Sequence, residues 1–173
     1  MRFFRGLVFA LPISLGLWAA LIAGCSAITR GPGEVRLSGV IDATSGADFA
    51  RAMPAPLVVL DSDGGQVAAA AQMAGLIRAS GANTLVRNQC ASACVLLFAA
   101  GKDKYISPGG RIGVHRSTGG PATDAAIGEL LTSFNVPGSI VRATQITLPS
   151  AIYWVTDVEL RQWHVQAFPK GEP

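Results

Sequence analysis

The stretch Leu57-Val58-Val59-Leu60-Asp61-Ser62-Asp63-Gly64-Gly65, followed by Val67 to Ser80, decides the fold. Four consecutive aliphatic residues read as a strand buried on both faces, as in a parallel sheet. Asp61 to Gly65 reads as a tight turn between that strand and the next element. Glycines there admit positive φ and leave bare N–H groups at a helix N-terminus, where an oxyanion or phosphate is held. Taken alone, such a turn is usually only a turn. Val67 to Ser80 is rich in alanine and reads as a helix stopped by Gly81.

Working outward, Val35 to Ile41 alternates as a strand, and Ala47 to Met53 is a short helix closed by Pro54 and Pro56. Downstream, Asn83 to Arg87 is a strand and Ala91 to Ala100 a helix of small residues with Gly101 beyond it. Lys104 to Ile106 and Arg111 to Val114 are short strands around the turn Ser107-Pro108-Gly109-Gly110. Strands alternating with helices imply βαβ units and a mostly parallel sheet. After a polar loop from Arg116 to Thr123, the spacing gives helices over Asp124 to Phe134 and Pro137 to Leu148. Thr156 with Glu159 three residues on is a capping box, opening a helix to Trp163.

The N-terminus carries an address. Arg2 and Arg5 precede an apolar run from Leu7 to Ile22, and Ile22-Ala23-Gly24-Cys25 follows. A basic start, an apolar middle and small exit residues describe a secretory signal. The last four residues resemble a bacterial lipobox, which implies lipidation of Cys25 and a periplasm-facing lipoprotein, with Ser26 next to the cysteine pointing to the outer membrane. Two other readings stay open: an uncleaved anchor, long enough for about 30 Å of hydrocarbon, and ordinary cleavage after Ala27. All three place the body outside the cytoplasm. The expected organisation is a signal at 1–24, a linker at 25–34, one domain at 35–168 and a tail at 169–173. Arg2 and Arg5 are two of the 14 basic residues, so 12 remain against 11 acidic. That balance gives no nucleic-acid footprint.

Three features carry candidate chemistry: the Gly-Gly turn, Ser92 within Cys90-Ala91-Ser92-Ala93-Cys94, and His115 at a strand end. Ser92 at a helix start is exposed to substrate, although it reads equally well as an ordinary N-terminal serine. The chain has two histidines, His115 and His164. A lone histidine is more often structural, but the order turn, serine, histidine shifts the reading towards acyl transfer. His164 reads as a surface residue at a helix end.

Ser62-Asp63-Gly64-Gly65, Ser92-Ala93, Ala100-Gly101, Gly113-Val114-His115 and Val155-Thr156-Asp157-Val158-Glu159 stand in one order that resembles the ClpP/crotonase superfamily. The likeness is strongest to its Clp-type serine proteases and their small periplasmic members. The resemblance implies an α/β fold, the ClpP/crotonase-like ββα superhelix with a mostly parallel core sheet. It implies Ser92 as nucleophile, His115 as general base, and the backbone N–H groups of Gly65 and Ala93 as oxyanion hole. Peptide or protein substrate would lie as an extended strand beside the Gly-Gly turn. No cofactor and no metal are expected, and a homo-oligomer is left open.

The sequence also departs from that pattern. Asp63 replaces the family's proline and is expected to bring a carboxylate near the hole. The acidic third member should precede Thr156, yet Pro149 to Trp154 holds no Asp or Glu. Asp124 is the remaining candidate to swing in from the loop, so a Ser92–His115 dyad is expected. Cys90 and Cys94 read as a disulfide in an oxidising compartment or as two buried thiols. The functional expectation is an envelope serine peptidase-like hydrolase independent of ATP. The alternatives are an inactive scaffold lipoprotein with the same fold and, third, crotonase-type chemistry on a coenzyme A thioester.

Overall fold

The computed structural model describes residues 27–169. The signal segment and Cys25 lie outside the described residues, as do 170–173. Eight strands form one sheet: β1 (Ala27–Gly31), β2 (Glu34–Ile41), β3 (Leu57–Gly65), β4 (Asn83–Ala91), β5 (Lys104–Ile106), β6 (Arg111–Val114), β7 (Tyr153–Trp154) and β8 (Gln166–Ala167). Among the described residues six helices accompany them: α1 (Ala43–Ala52), α2 (Val67–Ser80), α3 (Cys94–Ala100), α4 (Pro121–Ser133), α5 (Gly138–Ile146) and α6 (Asp157–Gln162). The sheet runs β1-β2-β3-β4-β5-β8, with β6 on β4 and β7 on β6. All pairings are parallel except β1 with β2 and β6 with β7. This is the expected α/β architecture.

Aliphatic continuity explains the centre. Val58, Val59 and Leu60 are buried, as a strand covered on both faces requires. On α2 the buried side chains are Ala69, Ala70, Met73, Ala74 and Ile77, a stripe of helical period, and Gly81 closes the helix at φ +67°. Every residue of α3 is buried, because α2, α4 and the sheet surround it. Phe98 on α3 meets Trp163 edge-on, with ring centroids 5.2 Å apart. Thr156 and Glu159 form the expected capping box at α6.

Three local expectations are corrected. Residues 27–31 are no linker; they pair antiparallel with β2 from Ala27↔Ser38 to Gly31↔Glu34. The Asp61–Gly65 stretch is no turn; β3 continues through both glycines, paired with Val40 and Ile41 of β2. The helix expected from Ala91 begins at Cys94, so Ser92 stands outside it. In each case a tertiary pairing overrides residues of weak strand propensity. Among the described residues, no helix is long and apolar enough to cross a membrane.

Candidate active site

Strand β4 sets the geometry by pairing with two successive partners. Its first half, Thr84 to Val86, pairs with β5; its second half, Gln89 to Ala91, pairs with β6. The intervening turn moves the chain along the sheet, so Ala91 lies opposite Gly113. Ser92 and His115 therefore leave the sheet at the same end. The Ser92 N–H donates to the Gly113 carbonyl at 2.9 Å, locking the two strand ends together.

Ser92 has φ +55°, the left-handed region that non-glycine residues rarely occupy. It sits at a sharp strand-to-helix junction, between β4 and α3. That is the backbone arrangement of a nucleophile elbow, in which strain exposes the hydroxyl above the sheet. Such a conformation costs about 1–3 kcal/mol and persists only where its surroundings enforce it. Two features enforce it here. Cys90 and Cys94 are joined by a disulfide, with Cα atoms 5.3 Å apart, which ties the last part of β4 to the first residue of α3. Of the two sequence readings for these cysteines, the bonded one stands.

Gly64 is the second constraint. A Cβ there would lie 2.7 Å from the Ala91 carbonyl, 2.8 Å from Ser92 Cβ and 2.9 Å from the Ala93 nitrogen, with φ at +102°. Both space and dihedral exclude a side chain. Gly65, at φ +147°, is as tightly held, since its Cβ would meet the Ile41 carbonyl at 2.1 Å. The double glycine thus lets the end of β3 approach the serine turn, rather than making a turn of its own. Ser62 supports the approach: its hydroxyl donates to the Gly39 carbonyl at 2.5 Å and accepts from the Gly64 N–H at 3.0 Å.

Gly65, Ser92, Ala93 and His115 all line one cleft of about 630 Å³. Its walls are mainly apolar, with Val95 and Leu96 from α3 and Ile127 and Leu131 from α4. The imidazole Nδ1 lies 2.7 Å from the Arg116 carbonyl oxygen. A carbonyl only accepts, so Nδ1 carries the hydrogen and donates it, leaving Nε2 of the neutral ring as the acceptor. Among the described residues, no hydrogen bond joins Ser92 to His115.

Among the described residues, no carboxylate is hydrogen-bonded to the His115 ring. Asp124 accepts the Ser117 N–H at 2.7 Å, holding the loop after His115 rather than the ring. The β6–β7 register pairs Gly113 with Trp154 and Val114 with Tyr153. Continued by one step, it sets Ile152 opposite His115, with the Ile152 side chain reaching over Gly113. Asp63 is also corrected. It is exposed, bonds Gln89 and does not border the cleft, so its carboxylate stands away from the Gly65 and Ala93 N–H groups expected to form the hole. Gln89 in turn accepts from Arg111, whose guanidinium lies 4.1 Å over the Trp154 ring, an outer-face chain that sequence reasoning missed. His164 is exposed at φ +57°, beyond the end of α6.

Glu159 is the buried acid nearest to this end of β7. Burial pushes its carboxyl up, but hydrogen bonds from the Thr156 backbone, Ser139, the Thr156 hydroxyl and Tyr153 outweigh that and leave it below the usual range. Its bonds to Tyr153 Oη and to Thr156 N and Oγ1 mark it as structural. Among the described residues no group of three His, Cys, Asp or Glu side chains is placed to hold a metal.

No family model matches the chain, and no curated protein does. Solved structures do. ClpP1 from Listeria monocytogenes aligns with a TM-score of 0.67 and 17% identity, over 80% of this chain and 92% of that one. The catalytic domain of the ClpP protease from Plasmodium falciparum gives 0.62 and 15%, over 80% and 86%. A mutant of the membrane-bound stomatin-specific protease 1510-N gives 0.57 and 18%, over 76% and 77%. At such identities the likeness speaks for the architecture alone, and the chain has the ClpP-like fold.

Proposed function

We propose that this chain is an envelope-located serine hydrolase acting on peptides or protein segments without ATP, with Ser92 and His115 as a dyad. One observation carries the reading. A left-handed serine, braced by a disulfide and a glycine that admits no side chain, faces the same cleft as the histidine. Strain of this kind at a cleft points to function, since packing alone has no use for it.

In this mechanism Ser92 Oγ attacks the substrate carbonyl carbon while its proton passes to His115 Nε2. The Arg116 carbonyl holds Nδ1–H and so fixes the tautomer, one of the two tasks an acidic partner performs. The other task, stabilising the imidazolium by charge, is unfilled, so a slow enzyme is expected. The N–H groups of Gly65 and Ala93 stabilise the oxyanion. His115 then protonates the leaving amine, and water cleaves the acyl-serine by the same path. Outside the cytoplasm an ATP-driven unfoldase has no fuel, so substrate would be accessible peptide or an unfolded segment. The Cys25 lipid anchor remains part of this reading.

The full chain, incubated with a fluorophosphonate, should acquire one adduct, mapped to Ser92 by peptide mass spectrometry. Folded protein without an adduct at Ser92 would favour the scaffold reading, which the missing Ser92–His115 hydrogen bond and the lack of a carboxylate bonded to His115 among the described residues support.

A further inference from the structure

We infer that the cleft-bearing end of the domain docks on a phospholipid bilayer, so that the site acts on peptide segments lying at the membrane surface. This deepens the proposed function by naming its substrate class. It rests on the N-terminal anchor reading, whether lipid or retained helix, and not on the chemistry of Ser92.

The first support is where the chain enters the fold. Strand β1 runs antiparallel to β2, and its first residue, Ala27, pairs with Ser38. From Ser38, β2 runs on to Val40 and Ile41, which border the cleft and pair with Gly64 and Gly65. Cys25 precedes Ala27 by two residues, and two residues reach at most about 7 Å. With β1 replacing the expected linker, no slack remains. An anchor at Cys25, or a membrane helix ending there, holds the catalytic end of the sheet against the bilayer and turns the hairpin at Pro32 and Gly33 away from it.

The second support is independent of the anchor. Among the described residues, the large apolar side chains exposed to solvent are Val40 at 45%, Leu76 at 37%, Ile146 at 69%, Leu148 at 57%, Ile152 at 43% and Val158 at 55%. Val40 borders the cleft on one side. Ile146, Leu148 and Ile152 do not border the cleft but lie near the end of β6 that leads to His115. The Arg116 N–H donates to the Thr147 carbonyl at 2.9 Å, and the β7 register carries Ile152 opposite His115. Val40, Ile146, Leu148 and Ile152, four of the six, thus lie towards the end where the anchor enters, whereas Leu76 on α2 and Val158 on α6 are no part of this rim. A bilayer interface satisfies such a rim without a protein partner.

The test uses full-length chain reconstituted in phosphatidylethanolamine–phosphatidylglycerol vesicles. Spin labels are attached at Ile146→Cys or Leu148→Cys on the cleft end and at Ser80→Cys, exposed at the far end of α2. Cys90 and Cys94 are bonded and do not compete for label, and Cys25, whose thiol is blocked when lipidated, is replaced by serine where the anchor is a retained helix. Docking predicts that labels at 146 and 148 lose access to an aqueous nickel complex and gain access to dissolved oxygen in the lipid, whereas the label at 80 stays fully aqueous. Using two cleft-end sites guards against one substitution disturbing the fold. Equal aqueous access at both ends, protection of position 80 instead, or a chain that does not stay with the vesicles would each overturn the inference. The same pattern in a Ser92→Ala background is expected, so failed hydrolysis and failed docking are read separately.

Discussion

Removing the Cys90–Cys94 bond should cripple the site more than it harms the fold. The bond spans a sequence separation of 4. For so short a loop the chain-entropy relation gives about 2 kcal/mol of stabilisation through the unfolded state. In a domain of this size that corresponds to a fall in Tm of about 4–8 °C. The effect on the site is separate and larger in proportion. Ser92 at φ +55° stores about 1–3 kcal/mol. Once α3 is no longer tied to β4, that strain can relax into a turn with the hydroxyl misdirected. If relaxation recovers the whole of it, the reactive conformer falls about 5- to 150-fold. The perturbation is the pair Cys90→Ala and Cys94→Ala, with reduced wild type as a second sample. The assay is the second-order rate constant for fluorophosphonate labelling of Ser92, normalised to the folded fraction from circular dichroism. A fall well beyond any loss of fold is expected. A normalised rate constant within twofold of wild type, with the bond absent, would refute the idea that the disulfide holds the elbow.

Gly64→Ala should abolish labelling of Ser92, because the added Cβ meets the Ala91, Ser92 and Ala93 atoms within 3 Å at a φ that alanine disfavours; near-wild-type labelling would refute the close-approach reading. Ile152→Asp sets a carboxylate opposite His115 and should raise the labelling rate on the order of tenfold through charge on the imidazolium, measured against Ile152→Asn as neutral control. The folded-state pKa of Glu159 is lowered, so its contribution to stability is full above the ordinary glutamate range and is lost as pH falls through the lowered value. Thermal melts should therefore show Glu159→Gln destabilised at neutral pH and converging on wild type in acid, whereas a constant difference across pH would contradict this linkage.

Much of the site was legible in the sequence, for identifiable physical reasons. The aliphatic run of β3 and the Ala-rich α2 have strong and different periods, so the strand–helix unit around the double glycine stood out. Ser92 and His115 were legible through their order along the chain, and the structure brings them to one cleft. The paired cysteines were legible only through the expected compartment, and the Thr156–Glu159 box through capping chemistry. What the sequence concealed depends on register. Strands β7 and β8 have two residues each and carry no periodic signal of their own. β1 holds Arg30 and Gly31 beside Pro32 and Gly33, a linker composition that pairing with β2 overrides. The outward aim of Asp63 follows from its partner Gln89 on β4, and the place of Ile152 from the β6–β7 pairing. Neither can be read from one segment in isolation. The left-handed Ser92 is also invisible in composition, because no glycine or asparagine marks it.

The proposed dyad and oxyanion hole meet in one observable, the crystal structure of the full chain after reaction with a peptidyl fluorophosphonate. Phosphorus should be bonded to Ser92 Oγ, with the phosphonyl oxygen about 2.7–3.1 Å from the Gly65 and Ala93 nitrogens and His115 Nε2 turned towards Oγ. An adduct on another residue, or a phosphonyl oxygen directed away from both N–H groups, would contradict the assignment of Ser92 as nucleophile in a preformed hole.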